Sequence, residues 1–222
     1  MSQLLECLEV EPGGDAAGAV IWMHGLGANA SDFEPIVPLL RLPVPVRFVF
    51  PEAPKRPITI NGGMRMQAWY DIDPASPLSG DSEIRESAAQ VEQLVEREIE
   101  RGVPAERIVL AGFSQGGVIA LHLGLRQARA IAGIMALSTY VHDPEGLPGE
   151  VGPASTDVPI FMAHGLQDPM IPITRAVASR ETLHDLGYTV EWHEYAMGHE
   201  VCPQEIDDIA RWLAGVFAGG QA

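Results

Sequence analysis

The sequence predicts an α/β fold built on a mostly parallel, doubly wound sheet with helices on both faces. Short apolar segments alternate with helical patterns along the chain, an order typical of strand–helix–strand units. Several apolar segments, such as AVIWM at 19–23, contain no alternating polar residue, which favours parallel strands buried on both sides. Because the chain has 222 residues and 46% of them are hydrophobic, we expect one large domain spanning residues 1–222.

Seven strands and four helices follow from the patterns of apolar residues and turn signals. The predicted strands are 4–10, 19–23, 47–50, 107–111, 131–137, 159–163 and 189–195, and the predicted helices are 81–101, 115–124, 174–186 and 203–217. Gly102 ends the first of these helices, and Pro203 occupies a favourable position in the first turn of the last one. Two stretches rich in Pro, Gly and Ser, 51–80 and 139–158, have no apolar period and are predicted to be long loops.

The charge balance and the cysteines limit the classes of function. The chain has 14 basic and 30 acidic residues, a formal net charge of −16, which disfavours binding to nucleic acids and to anionic membranes. The start, MSQLLECLEV, has no basic segment followed by an apolar one, and no apolar run reaches the roughly 18–20 residues that span a bilayer. Cys7 and Cys202 are expected to be free thiols, so we expect a cytoplasmic protein with no membrane span.

The segment VLAGFSQGGVIALHLG, 109–124, places Ser114 in a G-x-S-x-G pattern between a predicted strand and a predicted helix. A nucleophile on such a turn has strained backbone angles, and its close neighbours leave little room for side chains. Glycine two residues before and two residues after the serine relieves that crowding. The pattern therefore predicts a nucleophilic serine, although a glycine-rich turn with an idle serine is the alternative.

A serine nucleophile requires a base, and loops after successive parallel strands converge at the carboxyl edge of a sheet. Of the seven histidines, His199 follows the predicted last strand in the loop AMGHEVCP, whereas His24 and His164 precede glycines in tight turns and are expected to fasten loops. Asp168 follows the strand PIFMA and is the candidate acid, with a turn-capping role as its alternative. We expect Asp168 to orient His199 and to stabilise its imidazolium form.

The loop HGLGANA after the strand at 19–23 has two interpretations. It fits the dinucleotide pattern G-x-G-x-x-A, but the next strand lacks the acid at its end that would bind a ribose. As an H-G-x-G loop it supplies a backbone amide that stabilises an oxyanion. We therefore expect the amides of Leu26 and Gln115 to form the oxyanion hole. Cys202 lacks the strand-to-helix placement of a nucleophile. No metal-binding motif is present, and no metal or cofactor is expected.

Five segments together resemble the acyl-protein thioesterase and carboxylesterase (phospholipase/carboxylesterase) family of α/β-hydrolases. They are HGLGANASDF at 24–33, AWYDI at 68–72, GFSQGG at 112–117, HGLQDPMIP at 164–172 and GHEVCPQE at 198–205. The resemblance implies an α/β-hydrolase fold without a large cap domain, a triad of Ser114, His199 and Asp168, and the same two oxyanion amides. It also implies that the segment 54–80, with Met66 and Trp69, contributes to substrate binding, with core packing as the alternative for Trp69.

The expected activity is that of a serine carboxylesterase or thioesterase acting on short- to medium-chain esters or acyl thioesters through an acyl-enzyme. A serine peptidase on the same scaffold is the first alternative, and a catalytically inactive hydrolase-fold binding protein is the second. Apolar residues in the loops suggest a homodimer.

Overall fold

The computed structural model describes residues 4–76 and 78–219 and contains the predicted sheet. Within the described residues, seven strands form it in the order β1-β3-β2-β6-β7-β8-β9. Their bounds are β1 Cys7–Val10, β2 Gly18–Met23, β3 Val46–Pro51, β6 Ile108–Phe113, β7 Gly133–Leu137, β8 Ile160–Gly165 and β9 Val190–Tyr195. All neighbouring pairs are parallel except β1 with β3, which is antiparallel at one edge. The mostly parallel sheet is thereby confirmed.

Among the described residues, five α-helices cover the two faces of this sheet. They are α1 Val37–Leu40, α2 Asp81–Glu100, α3 Gln115–Gly124, α4 Ile173–Asp185 and α5 Pro203–Ala218. Helices α2, α3 and α4 contribute to the hydrophobic cluster that contains Ile21 and Leu110, whereas α1 and α5 contribute to the cluster that contains Trp22 and Ala111. Successive residues of a strand point to opposite faces, so one buried strand supplies both clusters.

The prediction that 51–80 is a loop without regular structure is wrong in part. An antiparallel hairpin, β4 Lys55–Ile58 with β5 Met64–Gln67, lies within it and is separate from the main sheet. Its strands have only four residues each and include Pro57, so their apolar alternation is weak. The signal that identifies the hairpin is the pair Gly62 and Gly63, which both have positive φ angles at its turn.

The remaining differences lie at the ends of elements. The first strand begins at Cys7 rather than at residue 4, and the short helix α1 was not predicted because it contains only VPLL. Helix α3 has the predicted bounds. Among the described residues, the connections between strands form no large cap domain, so the carboxyl edge of the sheet is covered only by loops and by the β4–β5 hairpin.

Candidate active site

Ser114 occupies a strained turn between β6 and α3. Its φ and ψ angles are 55° and −118°, an unusual conformation for a residue with a side chain. Hydrogen bonds to the end of β7 and to the loop after it hold this turn in place. The Ser114 N–H donates to the Leu137 carbonyl at 2.9 Å, and the Thr139 hydroxyl donates to the Ser114 carbonyl at 2.7 Å. The conformation that exposes the Ser114 hydroxyl is therefore fixed by the fold.

The two glycines of the G-x-S-x-G pattern permit this turn by close backbone contact. A Cβ atom on Gly112 would lie 2.1 Å from the Gly116 carbonyl oxygen, and one on Gly116 would lie 2.2 Å from the Met23 carbonyl oxygen. Neither distance accommodates a methyl group. Strand β2, strand β6 and the start of α3 thus meet where only glycine fits, which is the physical reason for the pattern.

Ser114, His199 and Asp168 form a continuous line of hydrogen bonds. The His199 Nε2 atom lies 3.0 Å from the Ser114 hydroxyl oxygen, and the His199 Nδ1 atom lies 2.7 Å from Asp168 Oδ2. A carboxylate only accepts hydrogen bonds, so Nδ1 carries the imidazole proton and Nε2 is free to accept the Ser114 proton. The structure thus brings together the three side chains that the sequence analysis selected.

Asp168 is held in its ionised form by the loop around it. Burial alone would raise its pKa, but hydrogen bonds from the Ile171 N–H at 2.9 Å, from His199 and from the Met170 N–H at 2.8 Å outweigh burial and leave the pKa below its ordinary value. These backbone bonds form a turn around the carboxylate. The turn-capping role and the contact with His199 therefore coexist in one residue.

The loop that carries His199 is attached to the loop that carries Asp168. The Gln167 N–H donates to the Met197 carbonyl at 3.0 Å, and a Cβ atom on Gly165 would lie 2.2 Å from the Gly198 carbonyl oxygen. The ring of Phe113 lies against the imidazole, with their centroids 4.7 Å apart. His199 is therefore oriented by backbone and ring contacts without a further movement of its loop.

Leu26 and Gln115, whose amides are the predicted oxyanion donors, both line the cleft that contains Ser114. Neither amide has a hydrogen-bond acceptor within residues 4–76 and 78–219. Gln115 is the first residue of α3, where N–H groups have no partner in the helix and the helix dipole is positive. Two unsatisfied donors next to a nucleophile are suited to a developing oxyanion.

The side chain of Gln115 has a structural role that the sequence analysis did not predict. Its Oε1 accepts from the Trp69 N–H at 3.1 Å, and its Nε2 donates to the Tyr70 carbonyl at 2.8 Å. The Trp69 indole N–H donates to the His24 carbonyl at 2.8 Å. Because Trp69 is fully buried, it packs beneath the site rather than in the cleft, so the structure does not bring it into the position expected of a substrate-binding residue.

The cleft next to Ser114 has a volume of about 460 Å³. Met66, from β5, contributes to its wall, as the sequence analysis expected. Apolar side chains from four separate loops surround Ser114, and they include Leu26, Ile60, Ile72, Met170 and Ile171. A mostly apolar wall around a few polar groups is typical of sites for small organic molecules.

Two buried histidines, His24 directly after β2 and His164 near the end of β8, hold loops in place. His24 is buried and accepts from the Ala53 N–H at 3.1 Å, and His164 is buried and contacts the Ile171 carbonyl at 2.9 Å. Cys7 and Cys202 are free thiols. Within the described residues, no group of three or more His, Cys, Asp or Glu side chains is arranged to hold a metal ion.

No helix in the described part of the chain, 4–76 and 78–219, is both long and apolar enough to cross a bilayer.

Known proteins resemble this chain along most of its length. A family model described as Phospholipase/Carboxylesterase matches residues 5–216. Acyl-protein thioesterase 1 of Gibberella zeae is 37% identical over 210 residues, which are 87% of this chain and 88% of that relative. Acyl-protein thioesterase 1 of Neurospora crassa is 38% identical over 218 residues, with 87% and 84% covered.

Solved structures share the fold of this chain. Arabidopsis thaliana SOBER1 superposes with a TM-score of 0.84 and is 27% identical, over 90% of this chain and 98% of that one. Esterase PE8, at 24% identity and a TM-score of 0.85, shares the fold over 96% of this chain and 100% of its own. The expected α/β-hydrolase fold is thereby confirmed. The chain belongs to the phospholipase/carboxylesterase family of α/β-hydrolases, and it is a serine hydrolase.

Proposed function

We propose that this chain hydrolyses short- to medium-chain carboxylic esters or acyl thioesters through a triad of Ser114, His199 and Asp168. The observation that carries the proposal is the line of hydrogen bonds from Asp168 through His199 to Ser114, at 2.7 and 3.0 Å. The two amides without acceptors beside Ser114, those of Leu26 and Gln115, support the same assignment. Base, orienting acid and oxyanion donors then surround one hydroxyl.

In the acylation step, the Ser114 oxygen attacks the carbonyl carbon while His199 Nε2 accepts the hydroxyl proton. Asp168 stabilises the resulting imidazolium without taking its proton. The amides of Leu26 and Gln115 donate to the negative oxygen of the tetrahedral intermediate, and each such donor contributes about 3–4 kcal/mol to lowering the barrier. Collapse of the intermediate breaks the bond to the alcohol or thiol, which leaves with the proton from Nε2.

In the deacylation step, a water molecule replaces the leaving group next to His199. Nε2 accepts a proton from this water as its oxygen attacks the acyl carbon. The second tetrahedral intermediate then releases the carboxylic acid, and the proton returns from Nε2 to Ser114. The cycle uses no cofactor, because proton transfer and oxyanion stabilisation are supplied by residues of the chain.

The substrate class is supported by the cleft and by the relatives. The lining by Ile60, Met66, Ile72, Met170 and Ile171 is suited to an acyl chain, and the volume of about 460 Å³ favours a chain of limited length. The relatives from Gibberella zeae and Neurospora crassa are named acyl-protein thioesterases, which supports thioesters as well as oxygen esters.

A substrate panel tests this proposal. The purified chain is assayed against p-nitrophenyl esters of increasing acyl length, the matching acyl thioesters and matching peptide amides. We expect turnover of esters or thioesters with a maximum at short to medium chains, and a loss of about 10⁴-fold or more in kcat for Ser114→Ala.

The exposed Ser82 provides the control, and Ser82→Ala should retain the activity of the unmodified chain. Faster cleavage of the amides would indicate a peptidase. No turnover of any substrate would favour an inactive binding protein, and either result would overturn the proposal.

A further inference from the structure

Arg175 places a positive charge in the wall of the cleft that contains Ser114. It lies in the first turn of α4 and lines the cleft together with Tyr140 and Tyr70. The chain as a whole has a formal charge of −16, so a cation in the cleft is opposite to the general charge of the molecule. Among the described lining residues, Asp32 supplies the one carboxylate and His199 the one imidazole.

The guanidinium of Arg175 is stacked on a ring that is itself fixed. Its central carbon lies 3.3 Å from the ring centroid of Tyr140. The Tyr140 hydroxyl is 3.0 Å from the hydroxyl of Tyr70, and both tyrosines are buried. Stacking uses the flat face of a guanidinium, whereas its five N–H donors lie in the plane and point outward from the edge. The stack therefore orients Arg175 without consuming its hydrogen-bond donors.

These donors have no partner among the described residues. Within residues 4–76 and 78–219, no carboxylate forms an ion pair with Arg175 and no oxygen accepts a hydrogen bond from its guanidinium. Arg85 and Arg126, by contrast, both pair with Glu150. Arg175 also lines the groove next to the cleft, where Asp143 accepts from the Gly146 N–H at 2.9 Å and neither Asp143 nor Glu145 forms an ion pair with the guanidinium.

From this geometry we infer that Arg175 binds an anionic group of the substrate, a carboxylate carried at a distance from the scissile carbonyl. The inference rests on the proposed ester or thioester hydrolysis and narrows its substrate class. A planar guanidinium with free edges binds a carboxylate through two parallel hydrogen bonds, and this geometry discriminates against neutral substrates of the same shape. The apolar side chains of the cleft then contact the methylene groups between the two polar ends.

The carboxylate can belong to the acyl part or to the alcohol part of the ester, and two matched substrate pairs distinguish these cases. Mono-p-nitrophenyl suberate compared with p-nitrophenyl octanoate tests the acyl part. 4-Carboxyphenyl octanoate compared with its methyl ester tests the alcohol part. The quantity measured is the ratio of kcat/KM between the anionic and the neutral member of each pair.

We expect this ratio to fall about tenfold or more in Arg175→Gln for one of the two pairs. A further fall is expected in Arg175→Glu, and added salt should lower the ratio of the unmodified chain. Arg180, on the same helix but stacked on Trp192, is the matched control, and Arg180→Gln should leave both ratios unchanged. Unchanged ratios in Arg175→Gln, or an equal loss for anionic and neutral esters, would overturn the inference.

A binding measurement separates this inference from the proposed function. The amide analogue of each anionic ester, which resists hydrolysis, is titrated by calorimetry into Ser114→Ala with and without Arg175→Gln. A weakening of about tenfold for one analogue supports the inference even if no ester is turned over. Equal binding by the two variants contradicts it even if neutral esters are hydrolysed rapidly.

Discussion

His199 Nδ1 lies 2.7 Å from Asp168 Oδ2, and this contact joins the loop after β9 to the loop after β8. Burial would raise the pKa of Asp168, but the hydrogen bonds from Ile171, His199 and Met170 lower it below its ordinary value. The carboxylate therefore remains charged at neutral pH. A charged acceptor at Nδ1 selects the imidazole tautomer whose Nε2 faces Ser114.

Replacing this carboxylate by its amide tests the tautomer argument. In Asp168→Asn the side chain can donate to Nδ1, which favours the tautomer with its proton on Nε2, and we expect kcat at neutral pH to fall about 10⁴-fold. The measurement is ester turnover with the fold checked by circular dichroism. Asp143→Asn, in the loop after β7, is the control and should leave kcat within about twofold. A loss below tenfold in Asp168→Asn would contradict the assigned role.

The glycine at the start of α3 is required by space. A methyl group on Gly116 would meet the Met23 carbonyl oxygen at 2.2 Å, so Gly116→Ala should displace the turn that carries Ser114. We expect a loss of about 1–3 kcal/mol in the free energy of unfolding and a large loss of turnover. Chemical denaturation and ester kinetics measure the two effects. Gly215 in α5 has open space around it, so Gly215→Ala should be neutral or stabilising.

Glu98 is the buried anion of an ion-pair cluster that also contains the more exposed Glu9 and Glu11. Its side chain is fully buried and pairs with Arg47 at 2.8 Å, with Arg97 at 2.9 Å and with Arg101 at 3.0 Å. Glu98→Gln removes a fully buried carboxylate that these three arginines share. Each arginine keeps an ion pair with Glu9 or Glu11, and we therefore expect the free energy of unfolding to fall by about 1–3 kcal/mol. The exposed pair of Glu96 with Arg129 is the control.

Glu96→Gln should change the free energy of unfolding by less than about 1 kcal/mol. Urea denaturation of the two variants in parallel measures the difference. Equal small changes would show that the cluster around Glu98 contributes nothing beyond an ordinary surface pair.

Glu205, in the first turn of α5, makes stability depend on pH. Burial raises its pKa from 4.5 to about 8, an effect that the neighbouring Cys202 backbone offsets only in part. Among the described residues, neither carboxylate oxygen has a partner with hydrogen-bond geometry. The folded chain holds this proton up to about pH 8, whereas the unfolded chain releases it near pH 4.5. Unfolding between these values releases a proton, so the free energy of unfolding falls as pH rises through that window.

The isosteric change Glu205→Gln should remove this dependence. We expect the variant to match the unmodified chain near about pH 5 and to exceed it by about 3 kcal/mol near pH 8. Denaturation curves across this range measure the difference. The exposed Glu200 is the control, and Glu200→Gln should retain the original slope. Parallel curves for Glu205→Gln and the unmodified chain would show that Glu205 is ionised in the folded state.

The parts of the site that could be predicted from the sequence are those that follow from a short sequence pattern or from the order of strands and helices. The G-x-S-x-G pattern identifies the turn at Ser114 because backbone crowding there excludes side chains, and the alternating order of elements places Asp168 and His199 after later strands. Contacts between distant segments follow no such rule. The hydrogen bonds of Gln115 to Trp69 and Tyr70 join residues 45 or more positions apart.

Two further features were missed, for different reasons. The β4–β5 hairpin is held by pairing between short strands and not by an apolar period, although the two adjacent glycines at its turn were a usable signal. Arg175 lies in an ordinary helical pattern, and only the packing of α4 against the loop that carries Tyr140 places it in the cleft. The position of Arg175 relative to Ser114 is therefore determined by the whole fold and not by a local sequence pattern.

Covalent labelling with a fluorophosphonate, followed by peptide mass spectrometry, tests the central claim most directly. The reagent phosphonylates an activated serine, so it reports the nucleophile without requiring knowledge of the natural substrate. The account predicts one adduct, on Ser114, which is lost in Ser114→Ala and strongly slowed in a variant lacking the His199 imidazole. Absence of an adduct on Ser114 in the folded chain, or equal labelling after His199→Ala, would contradict it.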